Sequence, residues 1–214
     1  MVGKIVTRPE FEDALKALSE KEVAAQRTLD NLAAERRELP IVKIDKTYKF
    51  HGPGDSTLSL DDLFNGKDQL IVYHFMFAPE SERGCSGCAF TGEHIPDVRH
   101  LGARNTAMAV VSRAPFDKIA AWKAKLGWKF PWYSSIGSEF SRDFGGLSAD
   151  GQDQPNLSVF YKKDGVIYQT YSVFPGGVMS FFGTYQLLDF TPLGRQDGPD
   201  GPAGFKLNYE YEEA

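Results

Sequence analysis

Two cysteines occur in the whole chain of 214 residues, and two residues separate them: Gly84-Cys85-Ser86-Gly87-Cys88. Thiols at this spacing can exchange electrons as a dithiol–disulfide couple, supply part of a metal site, or stay reduced as ordinary small side chains. The flanking sequence favours the first. The run Leu70-Ile71-Val72-Tyr73-His74-Phe75-Met76-Phe77 ahead of the pair is apolar on both alternating faces, as in a strand buried in mid-sheet. A helix is expected to begin at the cysteines. Its free N–H groups and positive dipole end would favour the thiolate of Cys85, lowering its pKa to about 3.5–7.5 from about 8.5. Cys85 is then the nucleophile. Cys88, one turn inward, is the thiol that resolves a mixed disulfide.

Other residues bear on this chemistry. Arg113 follows a second apolar run, Ala107-Met108-Ala109-Val110-Val111-Ser112. The carboxyl ends of parallel strands share one rim, so Arg113 is a candidate to lower the thiol pKa or to hold an acidic substrate group. A structural Arg bonding loop carbonyls is the competing reading. Arg83 could add positive charge beside Cys85. Trp132 is a candidate substrate contact on that rim, while Trp122, Trp128 and Tyr133 read as packing. His74, inside the first apolar run, is expected as a neutral core histidine. Cys85, Cys88, His94 and His100 would make an odd zinc spacing, and a helix starting at the cysteines would turn those ligands apart. No metal is therefore expected. No glycine-rich phosphate loop is present, so no cofactor is expected either.

The elements that must position these residues are legible in outline. Thr7-Arg8-Pro9-Glu10 is a capping box that opens a long helix ending before Pro40. Phe11, Leu15, Leu18, Ala25, Leu29, Leu32 and Leu39 mark an apolar stripe along it, broken by Glu22 and Arg36. This arm either lies on its own domain or forms a seam with a second copy, as a homodimer. Residues 41–50 read as extended, and Ser59 caps a short helical turn. The first buried strand spans 69–77, followed by helix to about His100. The second buried strand covers 107–112, and a helix runs from Pro115 to Leu126. A short extended piece, 130–134, has Pro131 at an edge or a strand start. A short helix follows from Ser138 to Phe144. Leu157 to Tyr171 is a hairpin turning at Asp164-Gly165. A helix covers 177–188. The stretch 194–204 is a Gly/Pro-rich loop, before an acidic, aromatic end. Three segments result: a helical arm (1–40), an α/β domain of mixed sheet flanked by helices (41–193), and a tail (194–214).

Bulk composition sets exclusions. The formal net charge of −5, with no basic block, gives no footprint for nucleic acid. No apolar run approaches a membrane span, and the first residues carry no apolar leader, so a cytoplasmic protein is expected. Two cysteines cannot make a structural disulfide framework, so a bridge here would be catalytic or regulatory.

Several runs together carry a resemblance: Leu70 to Phe77, Gly84 to Cys88, Val111-Ser112-Arg113-Ala114-Pro115, Gly127-Trp128-Lys129-Phe130-Pro131-Trp132, and Asp189-Phe190-Thr191-Pro192-Leu193-Gly194-Arg195. Over about residues 5–195 the chain resembles a bacterial thioredoxin-like family, family eight-nine-nine of the domains of unknown function. Its members are often labelled dithiol-disulfide oxidoreductases. The resemblance implies a thioredoxin-like fold that includes the N-terminal arm. Thioredoxins place a cis-proline opposite the cysteines, and Pro155 is the nearest candidate for that substrate contact. Thioredoxins also carry a Trp before the first cysteine, where this chain has Arg83-Gly84. The expected activity is dithiol–disulfide exchange with a disulfide-bearing protein or small thiol compound, reset by a reducing partner. The alternatives are a thiol peroxidase, suggested by the likeness of 130–147 to a peroxiredoxin segment, and a non-catalytic binding module. Against the peroxidase, Glu82 stands where Thr or Ser is expected, three residues before Cys85.

Overall fold

In the computed structural model, residues 3–173, 177–196 and 206–211 are described. Helix α1 spans Arg8–Arg37. The Glu10 carboxylate accepts the Thr7 N–H at 2.8 Å and the Thr7 hydroxyl at 2.7 Å, which fixes the first turn. No residue of α1 is buried, and Phe11, Leu15, Leu18, Leu29 and Leu32 of the apolar stripe are all exposed. The chain divides into two compact units. Residues 1–40 and Tyr185–Gln196 form one, and Ile41–Thr184 with Asp197–Ala214 form the other. Residues 185–193, placed with the sheet in the sequence reading, thus group with the arm.

The larger unit is built on one sheet. Its elements in chain order are β1 (Val42–Lys43), β2 (Lys49–His51), β3 (Thr57–Ser59), α2 (Leu60–Leu63), β4 (Gln69–His74), α3 (Ser86–Glu93), α4 (Val98–Gly102) and β5 (Thr106–Ser112). Then come α5 (Phe116–Leu126), β6 (Trp132–Ser134), α6 (Phe140–Asp143), β7 (Asn156–Lys163), β8 (Val166–Ser172) and α7 (Gly183–Leu188), the last crossing into the smaller unit. The strand order is β1-β8-β7-β4-β5-β6-β2-β3. β4 is parallel to β5 and antiparallel to β7. β5 is parallel to β6, and β7 pairs antiparallel with β8. A parallel β4-α3/α4-β5 crossover beside a terminal antiparallel hairpin is the thioredoxin-like plan, a mixed sheet flanked by helices.

Local chemistry explains the boundaries. The hairpin turns with Asp164 at φ 52° and Gly165 at φ 76°, the left-handed pair that a two-residue turn requires. α5 stops at Gly127 with φ 71°. The single helix expected from the cysteines to His100 is instead two, α3 and α4, separated by His94, Ile95, Pro96 and Asp97. Proline there removes a donor and disfavours helical backbone in the residue before it. The first buried strand ends at His74 rather than Phe77. Pro131 immediately precedes β6, and β6 is interior to the sheet, between β5 and β2. The helix expected over 177–188 divides into a 3-10 turn, Gly177–Phe181, and α7. Of the expected 194–204 loop, residues 197–204 lie outside the described residues.

Alternation along β4 distributes the core. Leu70, Val72 and His74 face one side, where Phe50, Phe64, Val111, Phe140 and Phe160 are buried. Tyr73 and Phe75 face the other, where Cys88 and Ala89 of α3, Ile119 and Trp122 of α5, and Trp132 are buried. Each such large apolar side chain contributes about 1.5–3 kcal/mol by leaving water. Among the described residues no helix is long and apolar enough to cross a membrane.

Candidate active site

Past β4 the chain turns and returns. The Cys85 N–H donates to the Met76 carbonyl at 3.0 Å, which ties the loop 77–84 back against the strand end. Cys85 has extended backbone (φ −63°, ψ 133°) and is the N-cap residue of α3, its carbonyl accepting from Ala89 N–H at 2.9 Å. Gly84 makes this turn possible. A Cβ there would lie 2.6 Å from Phe75 Cε1 and 2.6 Å from Trp122 Cζ3. Both rings are buried and wedged against each other at a centroid distance of 5.7 Å. Gly84→Ala is therefore expected to destabilise the fold by about 1–3 kcal/mol through overpacking, and to displace Cys85. Urea unfolding together with the Cys85 alkylation rate checks this; unchanged values for both would refute the wedge.

The two thiols differ sharply. Both are free; Cys85 is half-buried, and Cys88 is 1% exposed. The Cys85 thiol is lowered to about 6. The chief cause is a hydrogen bond from the Cys88 side chain, partly opposed by burial and assisted by the N–H groups of Cys88 and Gly87. Cys88 is pushed well above the ordinary thiol range by Cys85 and by burial, and in the opposite sense it is eased by Tyr73 and by Met76 N–H. The Met76 N–H donates to Cys88 Sγ at 3.5 Å. At neutral pH the outer sulfur is thus the anion, and the inner one holds the proton.

The other sequence candidates fall elsewhere. Arg113, just past β5, donates from Nε to Asp153 at 2.6 Å, with side chains 25% and 12% exposed. The groups that set the acidity of Cys85 are Cys88 and Gly87, and Arg113 is not among them. Arg83 pairs with Glu210 of the tail at 3.4 Å. Trp132 is 2% exposed and donates from Nε1 to Ser112 Oγ at 3.0 Å, its ring packed tilted against Phe75 at a centroid distance of 4.6 Å. It supports the wall behind the cysteines through Phe75 instead of lining an open rim. Pro155 precedes β7, and every described peptide bond, including Gln154–Pro155, is trans. His94 bonds the Phe90 carbonyl at 2.7 Å and the Thr184 hydroxyl at 2.8 Å. No group of three or more metal-ligating side chains forms among the described residues. Two contributors escaped the sequence reading. Tyr73, hidden in an apolar run, meets Cys88, and Gly84 holds the close approach; only the odd-numbered face of β4 pointed to the first.

The family described as bacterial protein of unknown function (DUF899) matches residues 2–211. Among solved structures the chain is similar to a mutant of PrxQ from Xylella fastidiosa, at 13% identity and TM-score 0.44 over 67% of this chain and 89% of that one. It is also similar to AhpC from Mycobacterium tuberculosis (18%, TM-score 0.47, 65% and 84%) and to a peroxiredoxin Q mutant from Xanthomonas campestris (15%, TM-score 0.44, 72% and 94%). No curated protein matches. With nearly its whole length matched, this chain belongs to the DUF899 family of bacterial proteins.

Proposed function

We propose that the protein is a dithiol–disulfide oxidoreductase working through Cys85 and Cys88. The supporting observation is the asymmetry of the pair: a half-buried outer thiol near pKa 6, hydrogen-bonded by a buried inner thiol held well above its ordinary range. The outer sulfur is ionised at neutral pH while keeping useful nucleophilicity, since its pKa lies close to ambient. In the reaction Cys85 thiolate attacks a substrate disulfide, forming a mixed disulfide and expelling one thiolate. That thiolate gains the proton that Cys88 loses. Cys88 then attacks the Cys85 sulfur, expelling the second substrate thiolate and leaving a Cys85–Cys88 bridge. Two electrons pass to the substrate, and a dithiol reductant resets the pair.

Two measurements test this reading. The alkylation rate of reduced protein should rise with pH through a midpoint of about 6, far below the ordinary thiol value. With a chromogenic small disulfide, two thiols should be released for each Cys85–Cys88 bridge found by peptide mapping. A midpoint near 8.5 or above, with no bridge formed, would remove the proposal. Rapid sulfenic acid formation with peroxide but no exchange with disulfides would put a thiol peroxidase in its place.

A further inference from the structure

Tyr73 carries a buried hydroxyl that the steps above leave unused. It sits in mid-sheet on β4, 1% exposed, on the face covered by α3. Its hydroxyl oxygen is sealed from solvent and has no hydrogen-bond partner of ordinary geometry among the described residues. An unpaired buried hydroxyl is costly, so the place it points to carries information. Tyr73 meets the Cys88 sulfur and the Thr91 side chain, and it also feels the charge of Cys85. Thr91 is itself engaged, donating to the Gly87 carbonyl at 3.1 Å. Of these groups Cys88 is the one whose sulfur must become an anion for the pair to turn over.

A neutral thiol is a poor acceptor, and a thiolate is a strong one. In the resting site Cys88 is protonated, and its sulfur receives the Met76 N–H at 3.5 Å. Once Cys85 is tied up in a mixed disulfide, Cys88 must shed its proton in a dry site with no cationic side chain among the groups acting on it. Those groups are Cys85, Tyr73 and the Met76 N–H. A donor left idle in the ground state and engaged only when charge develops lowers the barrier without tightening the resting state.

We propose that Tyr73 is a catalytic hydrogen-bond donor for the resolving step: its O–H stabilises the Cys88 thiolate as that sulfur attacks the mixed disulfide. The proton of Cys88 leaves with the first expelled substrate thiolate. Tyr73 keeps its own proton throughout, because burial and the neighbouring sulfurs hold its acidity far below that of a free phenol. This proposal rests on the dithiol reading of the same pair.

The test is Tyr73→Phe, which removes only the hydroxyl. In single-turnover reaction with a chromogenic disulfide, attack by Cys85 should change less than about threefold, whereas resolution by Cys88 should slow by about tenfold or more. A second measurement does not depend on turnover. In the Cys85→Ser background, adding Tyr73→Phe should raise the Cys88 pKa by about one unit. A shift there supports the donor role even if no mixed disulfide ever forms, in which case the dithiol reading fails alone. An unchanged Cys88 pKa in the double variant, or an unchanged resolution rate in Tyr73→Phe, overturns the proposal.

Discussion

Cys85→Ser is expected to lower disulfide turnover by about 10³-fold or more, to background, because a serine hydroxyl stays protonated at neutral pH and cannot replace a thiolate. Cys88→Ser should behave differently. The first attack should proceed, and a Cys85 mixed disulfide should accumulate and be visible by intact mass. The contrast between two ways of removing Cys88 probes the electrostatics. Serine keeps a hydroxyl that can donate to the Cys85 thiolate, so the Cys85 pKa should stay depressed. Alanine removes the donor that chiefly holds the value at about 6, so the pKa should climb toward the ordinary thiol range, retaining only the help of the Cys88 and Gly87 N–H groups. Alkylation profiles of the three proteins measure this. Equal pKa values in wild type and Cys88→Ala would show that the inner thiol does not set the acidity of the outer one.

The second large effect is on stability, through His74. The imidazole is 2% exposed and stacks on Phe140 at 5.4 Å. Ser158 Oγ lies 3.0 Å from Nε2 and donates onward to the Phe144 carbonyl at 3.3 Å, so Nε2 is the protonated nitrogen. Nδ1 then has no partner among the described residues. The Gly146 backbone packs so closely that a Cβ there would fall 2.6 Å from Nδ1. A second proton on the ring would be buried without an acceptor, and burial lowers the folded pKa to about 3 from 6.5. Between these values the unfolded chain binds the proton and the folded chain does not. Stability should therefore be complete above about pH 6.5 and fall as pH drops towards 3, by up to about 1.4 kcal/mol per pH unit. His74→Gln should be less stable at neutral pH yet lose this slope. Urea unfolding at pH 6.5, 5.5 and 4.5 reads it, above the range where most of the carboxylates with lowered pKa begin to titrate. Parallel slopes in the two proteins would mean that His74 is protonated in the folded state.

Both predictions draw on β4, and β4 shows where sequence reading succeeds and stops. Its hydrophobic run, the helix beginning at the cysteines, the capping box at Thr7 and the Asp164-Gly165 turn are short-range matters. Each is decided by a few neighbouring residues, by propensity and by backbone sterics. The thioredoxin-like plan follows because two buried strands joined through a helix have nearly one way to pair. Cys85 and Cys88 needed only their position at that junction to be read as an unequal pair.

Arg113, Trp132 and Tyr73 depended on partners far away in the chain. Nothing within a few residues of Arg113 announces Asp153, forty positions on, which engages its guanidinium. The sequence offers Trp132 as a rim contact, but its ring packs among Phe75, Trp122 and Trp128, brought together from other elements, and is buried. Tyr73 passed as one more apolar residue, since an aromatic strand position is silent about what its hydroxyl meets until α3 is laid across it. Local sequence settled which thiol stands at the mouth of the helix, because a helix end and a two-residue spacing are encoded within one turn. Only the packed sheet decided which groups tune those sulfurs, because desolvation and hydrogen bonding depend on whatever long-range folding brings within a few ångströms.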